Sequence, residues 1–209
     1  MTEVGVALVT GAGTRLGYAI AEGLAEDGFA TALHYNSSAE GAEALARKIR
    51  DAGGRAAPVQ QDLSTPEMAG ELIAKTTRAL GQPVSVLVNS ASAFDTDSLA
   101  TLTAETWRKL LDVNVAAPVF LMQAFARQDP APEGGAIVNI LDTQLTSASP
   151  ERFSYFCGKF ALDGATRLAA MELAPQGVRV NAVAPGLVLQ SAQTREEFEQ
   201  RQALTPLGP

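Results

Sequence analysis

Val4-Gly5-Val6-Ala7-Leu8-Val9-Thr10-Gly11-Ala12-Gly13-Thr14-Arg15-Leu16-Gly17 is the stretch that decides the fold. Its first six residues are almost wholly apolar, without the alternation of a strand that keeps one wet face, as expected of a parallel strand buried on both sides. Three glycines follow between Gly11 and Gly17, and then Ala19, Ile20, Leu24 and Ala25 recur at helical spacing. Strand, glycine turn and helix, in that order, is the context in which main-chain N–H groups and a helix N-terminus cradle a pyrophosphate. The spacing departs from G-x-G-x-x-G, because Leu16 stands where the third glycine would fall.

Outward from this segment, apolar strands alternate with helical patterns. Strands are predicted at Ala30 to His34, Arg55 to Gln60, Val84 to Val88, Ala136 to Leu141 and Val178 to Val183, and helices around Ser38 to Ala52, Pro66 to Leu80, Ala104 to Arg127 and Phe153 to Ala174. Such alternation implies an α/β fold: a doubly wound parallel sheet of Rossmann type, three layers deep, with right-handed crossovers. No repeat or low-complexity linker interrupts it, so residues 1–209 are expected to form a single nucleotide-binding domain. Ligands of such sheets bind at the carboxyl ends of the strands. There the sequence offers the glycine turn, His34-Tyr35-Asn36-Ser37, Asp62, Asn89 to Phe94, Asp142, and Pro185-Gly186. Six loops converge on one crevice.

Composition excludes several alternatives. A net charge of −7 and a pI near 4.8 argue against nucleic acid or an anionic membrane surface as partner, since either would want a basic face. Cys157 is the only cysteine and there is one histidine, so neither an intrachain disulfide nor a zinc site is expected. Thr2-Glu3 replaces the basic start of a signal peptide, and the apolar runs read as too short to span a bilayer, which leads to the expectation of a cytoplasmic protein.

The chemistry gathers around Tyr155 and Lys159, spaced Y-x-x-x-K with Asp142 thirteen residues upstream. One helical turn puts the phenol and the ammonium on a common face, where the positive charge is expected to lower the phenol's pKa and make it a proton donor near neutral pH. Asp142, at the end of a buried apolar strand, is costly there unless it has a task.

Thr10-Gly11 to Gly17, Asp62-Leu63, Asn89-Ser90-Ala91, Asn114, Tyr155-x-x-x-Lys159 and Pro185-Gly186 together resemble the short-chain dehydrogenase/reductase family, in order and over essentially the whole chain. Arg15-Leu16-Gly17, His34-Tyr35-Asn36-Ser37, Asn89-Ser90-Ala91-Ser92-Ala93-Phe94 and Asp142 resemble its pteridine reductase branch. Two positions depart from the general family pattern: Ser90 replaces a common second asparagine, and Asp142 stands where most members carry a catalytic serine.

The resemblance implies a division of labour. Gly11, Gly13, Thr14, Arg15, Leu16 and Gly17 would hold the cofactor's phosphates, Asp62 and Leu63 its adenine, and Asn89, Ser90, Ala91, Pro185 and Gly186 its remaining length. Tyr155 would supply or relay the proton, Lys159 would lower its pKa and touch the nicotinamide ribose, and Asn114 would hold a relay water. No carboxylate follows the second predicted strand, whereas Arg15 lies inside the phosphate turn, so NADP is expected over NAD, with His34, Tyr35, Asn36 and Ser37 near the 2′-phosphate. A serine in place of Asp142 would donate a hydrogen bond to a ketone oxygen. An ionised aspartate cannot, and suits a reduced pterin with N–H donors or a ring nitrogen to protonate, with Phe94 stacking on the heterocycle and Ser92 bonding its polar edge. The leading expectation is therefore NADP-dependent reduction of a dihydropterin. A reductase of ketones, sugars or acyl groups is the alternative within the family, and a non-catalytic nucleotide-binding protein the alternative outside it.

Trp107 and Phe120 fall in helical patterns and are expected in the core or an interface. Family members continue past Thr205-Pro206-Leu207-Gly208 with a helix and a strand, so the end at Pro209 leads to the expectation that these elements are lacking and a sheet edge is left open. Residues 187–204 read as a substrate lid, and a homo-oligomer, dimer or tetramer, is expected.

Overall fold

The computed structural model describes residues 4–129, 134–188, 195, 196, 198 and 199. The opening apolar run becomes β1 (Val6–Val9), with all four residues buried. It is followed by α1 (Arg15–Glu26), β2 (Ala30–Tyr35), α2 (Ala39–Asp51), β3 (Ala56–Gln60), α3 (Ala69–Leu80) and β4 (Val84–Asn89). Then come α4 (Ala104–Leu111) and α5 (Ala117–Ala126), β5 (Ala136–Ile140), α6 (Phe153–Leu173) and β6 (Arg179–Val183).

The strands form one parallel sheet in the order β3-β2-β1-β4-β5-β6. The chain winds outward from β1 to β3, returns to the middle and winds the other way, so its switch point lies between β1 and β4. Strand side chains alternate between two cores. Val6, Leu8, Ala30 and Ala32 join Leu72, Leu121 and Phe125 of α3 and α5 on one face, whereas Val9 and Leu33 join Leu45 and Ile49 of α2 on the other. Full burial of an apolar side chain such as Leu121 or Phe125 contributes about 1.5–3 kcal/mol, which is what holds the helices to the sheet.

The predicted elements are found, with two informative differences. Tyr35 lies within β2, paired to Gln60 of β3, so the strand runs one residue past the predicted Ala30 to His34. The predicted helix over Ala104 to Arg127 is continuous but contains one wide π turn, Asp112–Ala116, which carries Asn114. Such turns cluster at functional positions. The joined run Ala104–Ala126 is long and apolar enough to cross a bilayer by length and composition, which corrects the expectation of short apolar runs. Its apolar side is spent on the protein itself: Leu110, Ala117, Leu121 and Phe125 are fully buried. Most of the expected lid at 187–204, and all of the Thr205-to-Gly208 segment, lie outside the described residues.

Candidate active site

The glycine turn is built by exclusion of side chains. A Cβ on Gly17 would strike the carbonyl of Gly11, and one on Gly13 would strike Ser38 at the start of α2. Gly11 has φ +70, a left-handed conformation natural to glycine, and faces Ala91 at its back. Gly41, on α2, completes the fit, because a Cβ there would occupy the position of the Gly13 carbonyl. Gly41 was not among the expected site residues, although a glycine inside a helical pattern was the available signal.

At the N-terminus of α1 the backbone donors are left open. Thr14 caps no N–H with its side chain, and the first turn holds no acidic residue. Thr14 and Arg15 are both exposed. Among the described residues Arg15 is the non-glycine residue with positive φ, at 51°, a conformation that costs an L-residue about 1–2 kcal/mol. These open donors, the exposed guanidinium and the absence of a carboxylate at Tyr35, Asn36 and Ser37 fit a pyrophosphate with a further phosphate on the ribose.

His34 behaves differently from expectation. It is 2% exposed, its Nδ1 accepts from the Gly11 N–H at 3.1 Å, and its Nε2 donates to the Gln61 carbonyl at 2.9 Å. Both ring nitrogens are used, so neither is left for a ribose phosphate. Burial lowers its pKa to about 4, which keeps the ring neutral and preserves the Nδ1 acceptor that the glycine turn requires. Asp62 likewise serves its own loop, accepting from the Ser64 N–H at 2.8 Å, while the Leu63 side chain sits in the core.

Across the switch point, Thr10 ties the two inner strands together. Its Oγ1 accepts from the N–H groups of Ser90 and Ala91, both at 2.9 Å, and donates to the Val88 carbonyl at 3.3 Å. Asn89 donates to Asn139 of β5 at 2.8 Å, and Asn139 donates in turn to Thr166 of α6 at 2.9 Å, a buried polar chain linking β4 to α6.

Asn114, 1% exposed, clamps the segment after β4. Its Oδ1 accepts from Ser92 Oγ at 2.9 Å and the Ala93 N–H at 3.0 Å, and its Nδ2 donates to the Ala93 carbonyl at 2.8 Å. The carboxamide thus positions Ser92 and Ala93. Ser92 has given its proton to Asn114 and offers a substrate only its lone pairs.

The candidate reaction centre lies where β5 ends and α6 begins. Tyr155 donates its phenolic hydrogen to Asp142 Oδ2 at 2.9 Å, and Asp142 Oδ1 accepts from the Gln144 N–H at 2.8 Å. Lys159 is 3% exposed and donates to the Ile140 carbonyl at 2.8 Å, its ammonium 5.7 Å from the Tyr155 ring centre. Burial lowers the Lys159 pKa to about 8, partly opposed by Asp142. Tyr155 is not acidified, contrary to expectation. Burial first, then the charge and hydrogen bond of Asp142, push its pKa well up, because a neighbouring carboxylate favours the protonated phenol. Phe94 meets Tyr155 edge-on, with ring centres 4.9 Å apart, and is half exposed. Pro185 closes the crevice through its carbonyl, which accepts from Thr143 Oγ1 at 3.3 Å, and Gly186 beside it is exposed.

Two further residues at this end were not anticipated. Asp97, 5% exposed, accepts from the Ser154 N–H at 3.0 Å and from Ser154 Oγ, which fastens the loop after β4 to the first turn of α6. Arg152 places its guanidinium over the Phe94 ring, 4.5 Å from the centre.

A doubly wound sheet with an open glycine turn at β1 and a Tyr155–Lys159 pair at its carboxyl edge defines a dinucleotide-dependent oxidoreductase. The chain belongs to the short-chain dehydrogenase family, whose sequence profile matches residues 5–202. It is similar to an uncharacterized oxidoreductase of Methylorubrum extorquens, 38% identical over 184 residues that make up 88% of this chain and 73% of that one. It is also similar to a 3-oxoacyl-[acyl-carrier-protein] reductase of Staphylococcus epidermidis, 32% identical over 183 residues, 88% of this chain and 75% of that one. Among solved structures, FolM alternative dihydrofolate reductase 1 from Brucella canis, complexed with NADP, superposes with a TM-score of 0.92. That likeness carries 39% identity and covers 99% of this chain and 82% of the other.

Proposed function

We propose that the protein is an NADP-dependent reductase of dihydropterins. The observation that carries this reading is Asp142, whose Oδ2 accepts from Tyr155 where a carbonyl reductase of the family would present a hydroxyl donor. A carboxylate there repels a ketone oxygen gathering charge and attracts the N–H edge of a reduced pterin. The likeness to an alternative dihydrofolate reductase supports the same substrate class, and that structure's bound NADP supports the cofactor.

Bound NADPH would supply the hydride. Gly11, Gly13, Thr14, Leu16 and Gly17 would hold its phosphates, Arg15 the 2′-phosphate, with Tyr35, Asn36 and Ser37 beside it, Asn89, Ser90, Ala91, Pro185 and Gly186 its middle, and Lys159 the nicotinamide ribose. The chain's own part is proton delivery. Tyr155 is protonated at neutral pH, and its hydroxyl points to Asp142, so the pair can pass one proton to a ring nitrogen while Lys159 offsets the negative charge left behind. Phe94 supplies an exposed aromatic face beside Tyr155 for a flat ring.

Assembly as a homo-oligomer is part of the reading, supported by the exposed apolar side chains Phe160, Leu168 and Met171 along α6 and Phe120 on α5. A cytoplasmic location is supported by the single free cysteine, Cys157.

Asp142→Ser tests the substrate class. We expect the variant to lose at least about tenfold in kcat/KM for dihydropterins, the size of one charge-assisted hydrogen bond, and to gain activity on simple ketones. A serine variant that reduces dihydropterins as well as the parent would rule out the role assigned to Asp142.

A further inference from the structure

Helix α6 starts without a cap of its own. It runs 21 residues, Phe153–Leu173, yet Arg152 at its N-cap makes no side-chain cap hydrogen bond and its first turn holds no acidic residue. Arginine is a poor N-cap, and an uncapped start leaves first-turn N–H groups without acceptors. The acceptor comes from a distant segment. Asp97, in the loop after β4, takes the Ser154 N–H at 3.0 Å on one carboxylate oxygen and the Ser154 hydroxyl on the other. The main chain doubles the link: Asp97 N–H donates to the Glu151 carbonyl at 3.0 Å, and Phe153 N–H donates to the Asp97 carbonyl at 3.2 Å.

This cap differs from an ordinary one in cost and in reach. Asp97 is 5% exposed and Ser154 is fully buried, so the carboxylate has exchanged its water for these two bonds and the helix N-terminus. A serine or aspartate at position 152 could satisfy the same N–H group locally. What the remote cap adds is the tie between two walls of the crevice. On one side stands Tyr155, next in sequence to Ser154 and hydrogen-bonded to Asp142. On the other stands Phe94, whose ring meets Tyr155 edge-on with centres 4.9 Å apart. The loop's inner fastenings, Thr10 to Ser90 and Ala91 and Asn114 to Ala93, all precede Phe94. Beyond Phe94 come the exposed ion pair of Asp95 with Lys109 and then the buried Asp97.

We propose that Asp97 is a positioning residue for proton delivery: by capping α6 from the loop after β4, it fixes the Tyr155 hydroxyl relative to the ring face that Phe94 presents. Proton donor and substrate wall are thereby placed as one unit. The proposal rests on the reading of Tyr155 as proton donor and adds to it a residue that acts through Ser154.

Steady-state kinetics of the full chain with NADPH and dihydrobiopterin test it, with kcat expressed per NADPH-binding site titrated by fluorescence. Asp97→Ala should lower kcat per site about tenfold or more, the scale of a displaced reacting group, while KM and NADPH affinity stay within about threefold. The solvent deuterium isotope effect on kcat should rise, because the proton step slows relative to the others. Asp97→Asn keeps an acceptor for the Ser154 N–H and should recover most of the loss. Ser154→Ala keeps the backbone bonds, should lower kcat less, and should cost nothing more when added to Asp97→Ala. An Asp97→Ala protein that loses only thermal stability or binding sites, with kcat per site and isotope effect unchanged, makes Asp97 a cap alone and overturns the proposal. Equal losses in kcat and NADPH affinity overturn it too, since Asp97 would then hold the fold at large. Should Asp97→Ala not fold, Ser154→Ala decides, and full kcat per site in that variant overturns the proposal. A parent that reduces ketones and not dihydropterins overturns the substrate reading alone, because the same measurements on the ketone still read Asp97. Undiminished turnover in Tyr155→Phe overturns the donor reading and this proposal with it.

Discussion

The two halves of the crevice are held together by different means. Around β1, α1 and α2 the fit is made by missing side chains: Gly11, Gly13, Gly17 and Gly41 let main chain touch main chain. Around β4, β5 and α6 it is made by side chains that bridge distant segments, Asn114 to Ala93, Asp97 to Ser154, and Tyr155 to Asp142. The first half is a cradle of close main-chain approaches. The reaction half is a set of hydrogen bonds whose members each change the protonation or placement of another. A substitution in the first half should therefore act on cofactor binding or stability, and one in the second on turnover.

The strongest break between the halves is expected from Tyr155→Phe. It removes the hydroxyl, keeps the ring against Phe94 and leaves the glycine turn untouched, so turnover should fall about a hundredfold or more while NADPH affinity, read by fluorescence titration, stays within about twofold. Because the Tyr155 pKa is raised and that of Lys159 lowered to about 8, the wild type should lose activity above about pH 8 through loss of the Lys159 charge, before the phenol ionises. Turnover that survived the substitution would assign proton delivery to Asp142 alone.

The same division explains what could be read from the sequence. The alternation of strands and helices, the phosphate turn and the Tyr155–Lys159 pair were legible because they depend on short-range spacing: a buried strand, a glycine turn, one helical turn. The role of His34 was not, because a histidine at a strand end reads the same whether it faces solvent or accepts from Gly11, twenty-three residues away. The state of Tyr155 was misread for a related reason. Spacing places Lys159 on the same face, but only the fold shows that its ammonium is spent on Ile140 and that Asp142 is the nearer charge. Asp97 and Arg152 gave no sequence signal, since their partners lie across the chain in the loop after β4 and the start of α6.

His34 offers a smaller and cleaner test of the phosphate half, because it is the sole histidine. Its folded pKa of about 4 lies below the ordinary 6.5, so between these values the unfolded chain binds the proton and the folded chain does not. Stability attributable to His34 is then fully present above pH 6.5 and is lost as pH falls toward 4, by about 2 kcal/mol between pH 7 and pH 5. Urea unfolding of wild type and His34→Gln at both values isolates this contribution from that of the carboxylates. The two proteins should differ in their pH dependence by that amount, and identical slopes would mean that the imidazole is not held neutral by the turn.

Arg15 should give the smallest effect on the fold and the sharpest test of why that half contains a side chain at all. Every other tight position in the turn is glycine, yet Arg15 holds φ at 51°, where glycine would be unstrained. A residue kept in such a conformation at a cost of about 1 kcal/mol or more is kept for its side chain. Arg15→Ala and Arg15→Gly should both erase about tenfold of the preference for NADPH over NADH, since both remove the guanidinium. They should part in stability. Alanine retains the strain, whereas glycine relieves it and recovers a few tenths of a kcal/mol after the larger entropy of its unfolded chain is set against the gain. Thermal unfolding without cofactor, run beside cofactor titrations, separates the two effects. A glycine variant no more stable than the alanine one would show that the turn carries no strain, and an unchanged cofactor preference in both would remove Arg15 from the 2′-phosphate site.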